Sequence, residues 1–180
     1  MSTTTPTPTG TTSPDNWTLV AGASKAAAVT APDDDDTSYI DSGGSSNTVQ
    51  TFTYSPSLSS GDTITQIDIT VRSKRTGGQN ANHVFGYSFT PNGGGTQTQE
   101  SGNNTAVVSW ADNSYSFTGL SVVWGSGLTV YVKNTQNRSM AVTTVSITIT
   151  YTPGAGGGQP MVARARLVPG MRRAHGRQGW

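Results

Sequence analysis

Four consecutive aspartates form the densest group of chemically capable side chains in the sequence: Asp33, Asp34, Asp35 and Asp36. Ca²⁺ prefers several carboxylate and carbonyl oxygens held in a loop, and Asp33 and Asp35 with Asp41 and Asp62 offer that ligand type. The spacing matches no EF-hand or repeat-type calcium loop, and adjacent carboxylates repel unless a cation or hydrogen-bond donors intervene. The pattern therefore predicts a solvated or partner-facing acidic loop and no metal site, with calcium as the alternative.

Other catalytic side chains are scarce. The chain has no cysteine, two histidines (His83 and His175) and one glutamate, Glu100. Any Ser-rich sequence contains the parts of a Ser-His-Asp set, but no nucleophile elbow or similar local signature marks one here. A glycosidase-type pair of Glu100 with Asp112 depends on fold analogy alone. We therefore predict a protein that is not an enzyme, with no catalytic residue and no cofactor.

The C-terminus carries the second unusual group of side chains. After the Gly-rich spacer "PGAGGGQP" come five arginines, a terminal tryptophan and no acidic residue: Arg164, Arg166, Arg172, Arg173, Arg177 and Trp180. Because the guanidinium fork suits carboxylates, these residues are predicted to bind acidic loops on neighbouring subunits, with Trp180 as an anchor. The aspartate run is the predicted acidic counterpart, and a merely solvated tail is the alternative. Nucleic acid is disfavoured because the rest of the chain is net acidic.

The elements that must hold these groups are β-strands. Apolar residues make up only 32% of the chain, whereas Thr, Ser, Gly and Asn, which favour strands and turns, are abundant. In "TQIDITVRS", "VSITITYT" and "GLTVYVK" apolar and polar residues alternate with a period of two, so each strand has one buried side and one wet side. Turn clusters such as "SLSSGD" separate the strands. The sequence thus predicts an all-β fold, an antiparallel β-sandwich of jelly-roll type with extended N- and C-terminal arms.

Composition divides the chain into three segments. Residues 1–14 are almost entirely Thr, Ser, Pro and Gly, which predicts a flexible arm that gains order only against a neighbour. Residues 15–153 hold nearly all the large apolar residues and form the predicted sandwich domain, and residues 154–180 are the spacer and basic arm. No run approaches the ~18 apolar residues of a membrane span, and no signal peptide is evident, so a cytoplasmic site of synthesis is expected.

Aromatic residues at strand ends offer another kind of binding surface. Trp17, Trp110 and Trp124 lie in or beside predicted strands, where packing in or around the core is favoured over a sugar platform. A row of solvent-facing rings such as Trp110, Trp124 and Tyr115 would instead indicate a carbohydrate-binding module. The two interpretations differ in whether these rings are buried.

Several stretches together resemble a group of tailed-phage virion proteins with β-sandwich folds. They are "GASKAAAVTAPDDDDTSYI", the strand "FTY", then "SGDTITQIDITVRSKR" and the closing "VTTVSITITYTP". Members of that group are structural parts of the particle, such as capsid decoration or cement proteins and neck or tail accessory proteins. The resemblance implies a virion location after assembly in the host cytoplasm, a major capsid protein or other virion proteins as partners, and a homo-oligomer, with a trimer suggested for cement proteins.

The combined prediction is a phage capsid decoration or cement protein that braces the shell through a β-sandwich and intersubunit arms, with no membrane contact. Two alternatives remain open. One is a neck or tail accessory protein, which would use the same arms, and the other is a carbohydrate-binding module of a host-adhesion device.

Overall fold

A computed structural model describes residues 1–30 and 36–155 of the chain. These residues form two antiparallel β-sheets and one short helix, α1 (Lys25–Ala28). The strands are β1 (Ser2–Thr4), β2 (Pro8–Asp15), β3 (Thr18–Ala21), β4 (Tyr39–Asp41), β5 (Val49–Tyr54), β6 (Thr63–Arg75), β7 (Ala81–Thr90), β8 (Gln97–Glu100), β9 (Asn104–Ala106), β10 (Ala111–Phe117), β11 (Val122–Val123), β12 (Ser126–Asn134) and β13 (Met140–Thr152). The predicted all-β sandwich is confirmed.

The first sheet has seven strands in the order β10-β6-β13-β4-β3, with β11 also paired to β6 and β1 also paired to β13. Its centre is the pair β6–β13, in which Ile67 and Ile69 stand opposite Ile149 and Ile147. Cross-strand pairs of β-branched residues stabilise a sheet and hold its register. The alternation in the sequence therefore puts the isoleucines on the inner side and Thr and Ser on the outer side.

The second sheet has six strands in the order β2-β5-β12-β7-β8, with β9 also paired to β7. Strand β12 is central and is paired along most of its length with β5 on one side and β7 on the other. Its inner residues Val130 and Val132 are fully buried. The alternate residues Thr129, Tyr131 and Lys133 face away from the core and form the outer surface of this strand.

The inner sides of both sheets share one core. Tyr87 of the six-stranded sheet packs edge-on against Phe117 of the seven-stranded sheet, with ring centroids 5.0 Å apart. Tyr54 donates a buried hydrogen bond of 2.8 Å from its hydroxyl to the carbonyl oxygen of Val145 in the opposite sheet. Each fully buried large apolar side chain contributes about 1.5–3 kcal/mol relative to an exposed one. This shared core fixes the two sheets as the frame for any surface site.

The N-terminal segment is extended but is not a free arm. Strand β1 pairs with the C-terminal end of β13, and β2 pairs with β5 and forms the edge of the other sheet. Thr9 adds a side-chain hydrogen bond of 3.1 Å to the carbonyl oxygen of Thr53. The prediction that residues 1–14 gain order only against a neighbour is therefore wrong for these two strands. Composition misled because backbone hydrogen bonds to a sheet edge require no apolar side chain.

One predicted strand is also shorter than expected. The sequence "TAVVSW" predicts a strand that ends at Trp110, whereas β9 stops at Ala106. The next residues, Val107 and Val108, are 37% and 67% exposed. Strand propensity alone does not extend β9 through these two valines, because their side chains remain exposed and gain little from burial.

Several predicted features lie outside the described residues. They are Asp33, Asp34 and Asp35 of the acidic run, and the whole basic tail with Arg164, Arg166, Arg172, Arg173, Arg177 and Trp180. Their predicted contacts with partners stay predictions. Across residues 1–30 and 36–155, no helix has the length and apolar character needed to cross a membrane.

Candidate functional site

The outer face of the six-stranded sheet carries an open concavity of about 630 Å³, which we call the sheet groove. It is lined by Thr12, Ser13, Pro14, Asn47, Val49, Thr51, Ser88, Glu100, Thr129, Tyr131 and Lys133. Hydroxyl, carboxylate, ammonium and amide groups thus surround one aromatic ring. No residue of this lining comes from the seven-stranded sheet.

Strand register aligns the central residues of the sheet groove in one row across the sheet. Thr12 of β2 stands opposite Thr51 of β5, and Thr51 stands opposite Tyr131 of β12. Tyr131 in turn stands opposite Gly86 of β7, and Gly86 stands opposite Glu100 of β8. Side chains of directly paired residues point to the same face of a sheet. The row therefore places its hydroxyls, ring and carboxylate on the same face of the sheet, although its members come from five strands. Within this row Thr51 is only 6% exposed.

The tyrosine ring in this row reaches over the neighbouring strand because Gly86 there has no side chain. A Cβ atom at Gly86 would be 2.8 Å from the hydroxyl oxygen of Tyr131 and 2.1 Å from the carbonyl oxygen of Gln99. Both distances are far below van der Waals contact. Only glycine at this position lets the ring of Tyr131 extend over β7 towards Glu100 on the next strand.

The Tyr131 hydroxyl is held neutral by its surroundings. Partial burial raises the pKa of Tyr131 above its usual value, and the nearby Glu100 carboxylate raises it further. The phenol therefore stays protonated across the physiological pH range, and its hydroxyl can donate a hydrogen bond to a ligand in the groove.

The edge strand β2 forms one wall of the sheet groove. Its pairing with β5 is irregular between Thr12 and Asp15, so Ser13 and Pro14 stand outside the regular ladder. Lys25 of the helix α1 holds the end of this strand through an ion pair with Asp15 of 2.5 Å. A bulge of this kind re-aims side chains beside a binding surface.

The predicted catalytic candidates do not come together. Glu100 lies on β8 of the six-stranded sheet, whereas Asp112 lies on β10 of the seven-stranded sheet. His83 is fully buried, and burial lowers its pKa to about 4. Within residues 1–30 and 36–155, no group of three or more His, Asp or Glu side chains could hold a metal ion.

The described carboxylates of the calcium alternative are also far apart. Asp62 immediately precedes β6. Asp41 pairs with Ala141 of β13, and Ala141 pairs on its other side with Lys74, near the opposite end of β6. Asp41 accepts hydrogen bonds from the Gly43 amide and from the hydroxyls of Thr76 and Ser139. These two residues cannot share one ion.

Asp36 is the one described member of the acidic run. Its carboxylate accepts two hydrogen bonds from Arg72 of β6, with Nε–Oδ1 and Nη2–Oδ2 distances of 2.8 and 2.9 Å. Arg72 also contacts Asp112, at 3.4 Å. A bidentate pair of this geometry is specific and strong. In this structure the arginine that binds Asp36 therefore comes from the sandwich itself.

The aromatic residues proposed as a sugar platform do not form a row. Trp17 and Trp124 are buried in the core, as the packing interpretation predicts. Trp110 packs edge-on against Tyr39 at 6.0 Å, with the ammonium group of Lys74 4.4 Å from its ring centroid. Tyr115 is 43% exposed and packs against Phe117 at the edge of the sheet.

Sequence reasoning missed Tyr131, the central ring of the sheet groove. The signal was present in "GLTVYVK", where Val130 and Val132 mark the buried phase and place Tyr131 in the wet phase. An aromatic residue on the solvent side of a central strand has no packing role in the core. That pattern is informative about binding even in the absence of a tryptophan.

Comparisons with known proteins identify the fold and no family. No protein-family model matches the sequence, and no curated protein matches it. The predicted membership of a phage virion group therefore gains no sequence support.

The fold is similar to that of solved β-sandwich domains, at low sequence identity. One is the CBM22-1 xylan-binding domain of Xyn10C from Paenibacillus barcinonensis, with a TM-score of 0.51, 12% identity, and coverage of 79% of this chain and 87% of that domain. Another is the structure of the CBM22-1 and GH10 modules of Clostridium thermocellum xylanase 10B with xylohexaose, at a TM-score of 0.51 and 13% identity, covering 75% of this chain and 25% of that one. A tailspike domain of bacteriophage CBA120 has a TM-score of 0.42 and 14% identity, a similarity too low to support the virion interpretation.

Proposed function

We propose that this chain is a carbohydrate-binding module and that the sheet groove binds an extended saccharide. The observation that carries the proposal is the row of Thr12, Thr51, Tyr131 and Glu100 across the outer face of one sheet. A sugar ring has an apolar C–H face that stacks on an aromatic ring and an equatorial rim of hydroxyls that hydrogen-bond to polar groups. The row supplies both kinds of partner side by side.

The dimensions of the sheet groove suit a chain better than a single sugar. From β2 to β8 the row spans four inter-strand spacings, which is about 19 Å. The concavity of about 630 Å³ is open to solvent, and its lining includes residues of β2, β5, β12, β7 and β8. An open channel that crosses several strands accommodates consecutive sugar rings, with Tyr131 under the middle one.

The low-identity similarity to xylan-binding domains is consistent with this proposal, since such domains use the same two-sheet fold. Glu100 has no second carboxylate in the groove lining, which supports binding without hydrolysis. Among the predicted functions, the groove favours the host-adhesion module over the capsid decoration protein. Attachment to a virion stays a prediction, and it concerns the basic arm in residues 154–180.

Replacing the central ring tests the proposal. We expect Tyr131→Ala to weaken saccharide binding by about thirtyfold, because a central aromatic anchor contributes ~2 kcal/mol. Isothermal titration with xylohexaose and affinity electrophoresis in a panel of soluble neutral polysaccharides measure the effect.

The matched control is Tyr115→Ala, which removes a half-exposed tyrosine from the other sheet. It should leave affinity unchanged. Equal affinity for the wild type and Tyr131→Ala, or no binding of any saccharide in the panel, would contradict the proposal.

A further inference from the structure

A second concavity lies at one end of the sandwich and shares no lining residue with the sheet groove. This end cavity measures about 830 Å³ and is lined by Ser46, Arg75, Gly78, Gln79, Asn80, Thr135, Gln136, Asn137 and Arg138. Its walls are the β4–β5, β6–β7 and β12–β13 connections. Every lining side chain is polar or glycine, and the two charged ones are both arginines.

The walls of the end cavity are held in place by a buried amide. Asn134 is fully buried, and its side-chain nitrogen donates to the carbonyl oxygens of Ser45 and Arg138 at 3.3 and 2.6 Å. The backbone amide of Thr135 donates to the carbonyl oxygen of Asn82 at 2.9 Å, and the backbone amide of Thr76 donates to the carbonyl oxygen of Ser139 at 3.1 Å. Three loops from distant parts of the chain are thus linked by hydrogen bonds. A cavity with fixed walls is preorganised for a ligand.

The charge of the end cavity is unbalanced. Within residues 1–30 and 36–155, neither Arg75 nor Arg138 forms an ion pair. Nη2 of Arg138 donates to the Gln79 side chain at 2.5 Å, and Nη1 of Arg75 donates to the Gly78 carbonyl oxygen at 2.7 Å. Both partners are neutral. Two guanidinium groups therefore line one polar cavity whose lining includes no carboxylate.

One nitrogen of this pair is also left without a partner. Nε of Arg75 is buried and makes no hydrogen bond within the described part of the chain. A buried N–H group without an acceptor is costly, and the cost is greatest for a charged group. The guanidinium of Arg75 is therefore not fully paired within the described residues, in keeping with the unbalanced charge of the end cavity.

We infer that the end cavity binds an anionic group carried on a saccharide, a carboxylate or a sulfate. Planar guanidinium groups recognise such oxyanions through paired hydrogen bonds, and the amides of Asn80 and Asn137 suit the adjacent hydroxyls. The volume is that of a small-ligand site, which leaves room for a sugar unit beside the anion. The saccharide part of this inference rests on the proposed function, and the anionic part rests on the two arginines alone.

A matched pair of ligands separates charge from sugar. The probes are trigalacturonate and its fully methyl-esterified form, which keeps the sugar backbone but has no charge, with sodium sulfate as the free-anion arm. We expect trigalacturonate to bind with an affinity that falls as salt is raised, and the ester to bind at least about tenfold more weakly. Equal affinity for acid and ester would overturn the inference, and sulfate binding as tightly as trigalacturonate would overturn its saccharide part.

Two variants locate the site. Arg138→Gln changes an exposed loop residue and should weaken trigalacturonate binding about tenfold. Arg75→Gln should weaken it by a similar factor, and thermal melting checks that this variant is folded. Lys133→Gln removes the same charge from the sheet groove and should leave this affinity unchanged. Tyr131→Ala should also leave it unchanged, so that failure of the sheet groove proposal and failure of this one are distinguishable. A loss with Lys133→Gln and none with the arginine variants would place the anion in the sheet groove instead.

Discussion

At the scale of single residues, His83 shows how position overrides chemical type. The sequence presents it as one of two histidines and hence a catalytic candidate, yet it lies on the inner side of β7 with no solvent exposure. Neither ring nitrogen has a hydrogen-bond partner within the described residues. Burial lowers its pKa to about 4, so the ring is neutral at physiological pH. Its role is to fill space in the core beside Phe85, 6.1 Å away between ring centroids.

This burial makes the stability of the fold sensitive to acid. The unfolded chain binds a proton at His83 with a pKa of about 6.5, well above the folded value. Between these two values the unfolded state holds more protons, so stability falls as the pH is lowered from about 6.5 to about 4. The expected contribution is up to about 3 kcal/mol.

The variant His83→Leu should remove this contribution. Denaturant unfolding of both proteins at pH 7, 5.5 and 4 measures it, because the difference in unfolding free energy between variant and wild type should grow in favour of the variant as the pH falls. All other titrating groups are common to the two proteins. A difference that stays constant with pH would show that His83 does not titrate in this way.

At the scale of elements, the N-terminal strands connect the two sheets. Residues 1–15 run from the edge of one sheet to the edge of the other, and β2 supplies Thr12, Ser13 and Pro14 to the wall of the sheet groove. The segment is almost free of apolar residues, so its order depends on backbone hydrogen bonds. A segment without bulky side chains can thus be part of a fold and of its binding surface.

Two truncations separate the contributions of these strands. Deletion of residues 1–7 removes β1 alone and should lower stability slightly with no effect on saccharide affinity. Deletion of residues 1–15 also uncovers β5 and should cost about 3 kcal/mol of stability as well as affinity at the sheet groove. Thermal melting and titration with xylohexaose give both values. Identical melting of the full chain and the longer truncation would support the flexible arm that composition predicts.

At the scale of the whole molecule, charge is divided between the sandwich and the tail. All ten acidic residues lie before residue 113, whereas the last segment has five arginines and no acid. Both proposed binding surfaces lie in the sandwich. The proposed saccharide binding is therefore separable from the predicted partner contacts of the tail, which involve Arg164, Arg166, Arg172, Arg173, Arg177 and Trp180.

Deletion of residues 156–180 tests that separation. Melting temperature and affinity for saccharides should be those of the full chain, because no described contact of the sandwich is removed. If the tail attaches the domain to a particle or another protein, co-sedimentation with that partner should be lost, and raised salt should mimic the loss. Full retention of co-sedimentation would contradict the predicted role of the tail, and reduced saccharide affinity would contradict its independence from the groove.

Much of the architecture could be read from local patterns. Alternation with a period of two identifies the inner faces of β6, β12 and β13, because each strand on its own must separate apolar from polar side chains. The places of Trp17 and Trp124 in or beside strands likewise predict packing in or around the core, and both side chains are buried. These features depend on residues that are close in sequence, so the local sequence pattern is sufficient to predict them.

The two proposed binding surfaces depend on strand register and loop packing, which no local pattern encodes. Thr12, Thr51, Tyr131 and Glu100 share one row only because four strand pairings bring together residues up to 119 positions apart. Arg75 and Arg138 share one cavity only because the β6–β7 and β12–β13 connections, each of which joins the two sheets, meet at the same end of the sandwich. Long-range backbone pairing selects which polar residues become neighbours, whereas the sequence alone shows only that they are polar.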